Sequence, residues 1–311
     1  MSRPQFGVGL QGDRDVSEYG PLGRLAEELG FDVVTAFGDA GYLPPLVPLL
    51  EVAAVTERVR LGPSCMNPYT AHPAEIASQI AALDAASGGR AYLGLARGAW
   101  LDMVGVPQPR PLRAIREAAT VVERLLRGDE TGFAGEMFSI EPGFRLKQPL
   151  PQRKIALLIG AWGPRTVALA GEIADELKVG GSANPDLVPV MRERLAVGAN
   201  RVGRVTPDIV VGAVTVVDHD ARAARERAQA AVAMYFEVVA PFDATLDQHQ
   251  DVITDELLDR FAFAGTPKSV ARQVRDLLDA GVARVEFGAP FGLETEAGLR
   301  LLGQEVLAEF R

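Results

Sequence analysis

The chain has 311 residues, enough for one large α/β barrel, and 48% of them are hydrophobic, ample for its core. A net charge of −9 argues against nucleic acid or an anionic membrane as partner, since either needs a basic face. The single cysteine excludes an internal disulfide and any cysteine-built metal site.

Residues 6–10, Phe-Gly-Val-Gly-Leu, read as a short apolar strand. Gly7, Gly9 and Gly12 match the spacing of a dinucleotide-binding turn, with Asp32 about where an acidic ribose partner belongs. Residues 13–17 intervene before helical periodicity begins, so the last glycine opens no helix and the dinucleotide reading fails. A helix starting at Ser17 or Pro21 puts Leu22, Leu25, Ala26 and Leu29 on one face, and Gly30 closes it. Strand two covers 31–36 and runs into Phe37, Gly38 and Asp39; a helix over 45–56 follows. Strand three, 58–61, alternates charge with aliphatic residues until Gly62-Pro63 stops it. Pro73 opens the next helix, to Ala86, where Ile76, Ile80 and Leu83 recur at helical spacing.

Strand four is 90–95, and a helix over 111–126 carries Leu112, Ile115, Ala119, Val122 and Leu126 on one stripe. Residues 131–148 are short-patterned and broken by glycine, which predicts an excursion, a hairpin or extended insertion and not a new domain. Strand five, 154–159, is nearly all apolar, as a strand buried on both faces must be. Then come a helix over 165–173, strand six at 176–179, a helix over 185–202, strand seven at 208–217 and a helix over 221–239. Residues 241–251 are polar and irregular and suit a lid. A helix from Pro267 to Gly281, strand eight at 284–287 and an amphipathic helix close the chain. Eight strands alternating with helices, with no linker or shift in composition, predict one (β/α)8 TIM barrel over residues 1–311. No apolar run nears the ~20 residues of a membrane span. The N-terminus reaches a strand without a signal-like core, so a cytoplasmic protein is expected.

In such a barrel, loops at the C-terminal ends of strands hold ligands. Gly160-Ala-Trp-Gly163 precedes a helix, where small residues let backbone amides approach an anion; Gly180 and Gly181 end the neighbouring strand. Trp162 either stacks on a ligand or walls the pocket. Asp39 and Asp102 are the acidic residues nearest this face, and Arg97 is its evident cation, either a ligand contact or a salt-bridged rim residue. His72, His219 and His249 are scattered and offer no metal-ligand spacing.

The segments Gly62-Pro-x-x-x-Asn-Pro-Tyr-Thr70, Ser87-Gly-Gly-Arg-Ala-x-Leu-Gly-Leu95, Gly160-Ala-x-Gly-Pro164, Leu169-Ala-Gly-x-Ile-Ala-Asp175, Ala264-Gly-Thr-Pro267 and Leu277-Leu-Asp-Ala-Gly281 occur in order along nearly the whole chain. Together they resemble the bacterial-luciferase-like superfamily, and within it the deazaflavin-dependent methylenetetrahydromethanopterin reductase branch. The resemblance implies an enzyme that moves a hydride between reduced coenzyme F420 and a small organic substrate. It also implies a homodimer, and a non-prolyl cis peptide after strand three, here Ser64–Cys65, facing the cofactor ring. Cofactor contacts are then expected from Ser64, Cys65, Asn67, Arg97, Gly160, Ala161, Trp162, Gly163, Gly180 and Gly181. The same fold also serves FMN-dependent monooxygenases, and a barrel that binds cofactor without catalysis is a third reading. Relatives commonly carry an Asp-His pair after strand two; Gly38 and Asp39 stand there instead, which leaves Asp39 as the proton-handling residue.

Overall fold

The computed structural model describes residues 3–246 and 252–311. In chain order the first half comprises β1 (Gln5–Leu10), α1 (Val16–Glu28), β2 (Val33–Ala36), α2 (Leu46–Val55), β3 (Arg60–Pro63), α3 (Pro73–Ala86), β4 (Tyr92–Leu95) and α4 (Pro111–Leu126). A small antiparallel hairpin, β5 (Phe133–Ala134) with β6 (Ser139–Ile140), occupies the expected excursion. Then follow β7 (Ala156–Gly160), α5 (Pro164–Ile173), β8 (Glu176–Gly180), α6 (Leu187–Arg201) and β9 (Asp208–Val217). The last third holds α7 (Ala221–Ala233), α8 (Phe236–Val239), α9 (Asp255–Phe261), β10 (Ala262–Gly265), α10 (Pro267–Asp279), β11 (Arg284–Phe291) and α11 (Thr295–Leu301).

Eight parallel strands run round in the order β3-β2-β1-β11-β9-β8-β7-β4. Isolated bridges from Leu61 to Ala91 and from Met66 to Leu95 close β4 back onto β3. The predicted barrel is therefore present, with every expected strand in it. β10 was not expected: Ala262 to Gly265 pair with Val214 to Val217, the part of β9 beyond Gly212, where β8 stops. The helix expected over 221–239 is broken at Tyr235, whose hydroxyl donates to the Phe261 carbonyl at 2.7 Å. Of the expected lid, residues 240–242 form a 3-10 turn, and 247–251 lie outside the described residues. No helix among the described residues is long and apolar enough to cross a membrane.

A main apolar core lies between the sheet and its helices, drawing on all eight barrel strands. A second cluster joins Val216 to Ala224, Ala228 and Val232 of α7, Phe236, and Leu257, Phe261 and Ala264. Inside the barrel a small apolar cluster, Val33, Tyr92, Leu158 and Val210, lies beside an ionic network. Glu286 pairs with Lys178 and accepts from Arg284 Nε at 2.9 Å. Arg284 and Arg60 reach Glu176 at 3.0 and 2.9 Å, and both guanidinium groups lie over the Tyr92 ring. Such bulky groups fit because glycines face them: a Cβ on Gly62 would lie 2.6 Å from Tyr92, and one on Gly7 2.9 Å from Glu286. That crowding is the reason for the glycines of the first strand, and it removes the dinucleotide reading.

Candidate functional site

All eight barrel strands point the same way, so the loops after them gather at one rim. There the Ser64–Cys65 peptide is cis. Cys65 sits between the ends of β4 and β7: a Cβ on Gly94 or Gly160 would lie 3.3 or 2.8 Å from its sulfur. Part of the Cys65 surface stays accessible, yet burial pushes its thiol up to about 11, so it is neutral and no nucleophile at ordinary pH. Ser64 Oγ stands 3.8 Å from the sulfur.

Asp39 follows β2 and is half-buried. Burial raises its carboxyl above the ordinary range, and the one opposing contact is Gln11 Nε2 donating at 3.4 Å. A carboxyl so placed keeps its proton longer than a solvated aspartate. Asp102, the other acidic candidate, is exposed on a 3-10 turn.

At the end of β7, Gly163 is the N-cap of α5. The amide of Ala161 donates to the Lys178 carbonyl at 3.1 Å and is thus committed to the fold. Among the described residues no backbone carbonyl takes the amides of Trp162 and Gly163, and a Cβ built on Gly163 would meet no atom within 4 Å. Two free amides, a helix N-terminus and open space suit an anion. Trp162 donates Nε1 to the Gly180 carbonyl at 2.9 Å, which fixes its ring as a wall beside the turn. Gly181 has a φ of 75°, which favours glycine, and its amide donates to Gly212 at 2.7 Å.

Two of the expected contacts have partners of their own within the fold. Asn67 is buried, and its Oδ1 accepts from the amides of Tyr69 (3.1 Å) and Thr70 (2.9 Å), which holds the loop's turn. Arg97 is exposed, with Nε on Gln108 at 2.8 Å and no ion pair among the described residues. Sequence reading missed Gln11, a polar residue directly after a strand, and Lys178, whose charge within an apolar strand was the available signal.

His72 caps α3, accepting from the Ala74 amide at 3.2 Å, and His219 lies 3.4 Å from Glu305 on the surface. His249 lies outside the described residues. Replacing His72 with alanine should cost about 0.5–1.5 kcal/mol, one exposed hydrogen bond, and leave turnover unchanged. Thermal melts and steady-state rates check this; a lost rate with an intact fold would give the histidine a chemical role.

Residues 2–284 match the luciferase-like monooxygenase family. Over the full length of both chains, the protein is 30% identical to 5,10-methylenetetrahydromethanopterin reductase of Methanopyrus kandleri. It is 27% identical to an F420-dependent glucose-6-phosphate dehydrogenase of Microbacterium testaceum, covering 94% of this chain and 95% of the relative. The solved structure of the coenzyme F420-dependent tetrahydromethanopterin reductase from Methanopyrus kandleri superposes with a TM-score of 0.83, covering all of both chains at 27% identity. The eight-stranded barrel and these full-length matches agree: the chain belongs to the luciferase-like monooxygenase family.

Proposed function

We propose that the protein is a coenzyme F420-dependent oxidoreductase that passes a hydride between the reduced deazaflavin and a small organic substrate. The observation that carries this reading is the full-length likeness to reductases and dehydrogenases named for F420. The rim fits such a cofactor. The free amides of Trp162 and Gly163 would hold its phosphate, and the Ser64–Cys65 turn, flanked by the side-chain-free Gly94 and Gly160, would lie against its ring. Ala161, Gly180 and Gly181 keep the rim low enough for that approach.

When bound, the coenzyme supplies the hydride chemistry. The chain's own residues position and protonate. Trp162, fixed by its bond to Gly180, shields one side of the pocket from water. Gln11 orients the Asp39 carboxyl, which holds a proton at Oδ1 or Oδ2 for the substrate. Cys65 stays a neutral thiol and takes no part in proton transfer. The reading includes one barrel domain over the chain, working in the cytoplasm, and as a homodimer as the resemblance implies; sedimentation in solution decides the dimer.

The test is anaerobic mixing of the protein and reduced F420 with a panel of small carbonyl, imine and alkene substrates, following oxidation of the deazaflavin. Binding of FMN but not of the deazaflavin would move the protein to the monooxygenase reading. Gly163→Val should weaken cofactor binding about 10- to 100-fold, the worth of one or two charge-assisted amide bonds to phosphate. The space around Gly163 is open, so its melting temperature should not change. Unchanged affinity would place the phosphate elsewhere.

A further inference from the structure

The ionic network inside the barrel does not come to zero charge. Three cations, Arg60, Lys178 and Arg284, meet two carboxylates, Glu176 and Glu286, which leaves one positive charge over. Tyr92 faces the same network and stays neutral, since burial pushes its phenol above the ordinary range. Lys178 carries this charge towards the mouth. β8 ends at Gly180, which stands in register with Gly212 of β9. A Cβ on Gly180 would lie 4.0 Å from Lys178 Cε, and one on Gly212 3.3 Å. The side chain thus rises inside the barrel to the level of the strand ends, where the two glycines leave it room. Its Nζ lies 5.6 Å from the centre of the ring of Phe37, the residue that follows β2.

We propose that Lys178 places a positive charge under the floor of the mouth that holds a reduced coenzyme ring as its anion. Its backbone stands beside Gly160, the glycine that lies against the Cys65 sulfur. At that sulfur Lys178 pulls the thiol's ionisation down more than Glu286 pushes it up, so the cation outweighs its partner there. The lysine side chain is 6% exposed, and water screens it little. At the rim above, Arg97 is exposed against Gln108, and burial keeps a proton longer on Asp39. The amides of Trp162 and Gly163 would face the phosphate, which leaves Lys178 as the buried cation nearest the ring.

A deazaflavin or flavin ring that has taken up a hydride bears an acidic N–H, and a buried cation nearby favours loss of its proton. That proton goes to water. The anion left behind can give up its hydride and end as the neutral oxidised ring, so charge and electrons balance. Only the ring comes from the F420 reading; the charge belongs to the chain. The test uses the full-length protein, the variant Lys178→Met/Glu286→Leu, which exchanges the ion pair for an apolar one, and Lys178→Arg, which keeps the charge. Coenzyme F420 is bound to each, reduced without air, and titrated with pH while its absorption spectrum reports the ionised fraction, with free reduced coenzyme as reference. Alkylation of Cys65 in the unloaded protein, followed against pH, reads the same charge without any ring.

On wild type the reduced ring should ionise with a constant about tenfold above that of the free coenzyme. The apolar pair should return it to within about twofold of the free value, and Lys178→Arg should keep most of the change. A purely structural lysine would not move it. Cys65 should alkylate more slowly in the apolar variant than in wild type at the same pH. A bound ring that ionises as the free coenzyme does, or equally on wild type and the apolar variant, overturns the proposal. If FMN binds and F420 does not, the functional reading fails, and the same titration of reduced FMN decides for the charge. If neither binds, a slowed alkylation upholds the charge and an unchanged one overturns it.

Discussion

Replacing Glu286 with glutamine is expected to destabilise the protein by about 3–5 kcal/mol, the usual cost of removing one partner from a buried ion pair. Glu286 is 1% exposed and lies between Lys178 and Arg284. Without it Arg284 keeps Glu176, but among the described residues Lys178 keeps only the face of the Phe37 ring, 5.6 Å away. A cation over an aromatic face offsets about 0.5–2 kcal/mol, too little to hold an ammonium out of water. The melting temperature should fall by about 6–20 °C for a chain of this size.

The pH dependence has a definite sign. Burial pushes the Glu286 carboxyl up, but Lys178 and Arg284 more than offset that, and the group ends below its ordinary value. Its contribution is therefore complete above the unfolded-state value near 4.5 and is lost as the pH falls through the lower folded-state value. The difference between wild type and variant should be flat near neutrality and shrink in acid. Lys178→Met together with Glu286→Leu should recover most of the loss, since an apolar pair removes both charges at once. Urea melts across pH measure all of this, and a single variant as stable as wild type would show that the pair contributes nothing.

Asp39→Asn should lower turnover about 10²- to 10⁴-fold, the span typical for a positioned proton donor, with cofactor affinity little changed. Burial raises the Asp39 carboxyl, and the amide of Gln11 lowers it by less. An acid of this kind works while protonated, so wild-type kcat should fall as the pH rises through its raised value. The asparagine variant should lack that limb. Stability should move the opposite way. A carboxyl whose folded-state value is raised binds its proton more tightly when folded, so its stabilising contribution is present in acid and lost as the pH rises. At neutral pH the variant should therefore melt no lower than wild type. A slower and no less stable enzyme identifies a functional group; an unchanged rate would remove Asp39 from the chemistry.

The eight barrel strands were legible because a parallel strand buried on both faces must be short and apolar, as Leu157 to Ile159 and Ile209 to Val217 are. β10 was not, because Ala262 to Gly265 is too short to show a period and draws its conformation from β9. The ionic layer was hidden for another reason. Arg284, Glu286, Glu176 and Lys178 alternate with apolar residues, which in an open sheet means a face turned to water; barrel closure turns that face inward. The small residues of the rim and the place of Asp39 after β2 follow from where the strands end, whereas the turn that Asn67 holds does not, since only the folded loop shows its carbonyl oxygen taken by Tyr69 and Thr70.

The strand that extends β9 beyond the end of β8 divides the rim by stretch of sequence as well as by position. β10, α7, α8 and α9 carry their own apolar cluster, which meets the main core at β9 and at Trp162. From that cluster Tyr235 and Val239 overhang Gly181 at the mouth. One wall of the mouth is thus written in a single continuous stretch of sequence, whereas the turns at Cys65 and Gly163 belong to the ring of strands. Mutation can rewrite the first without disturbing the register of the second.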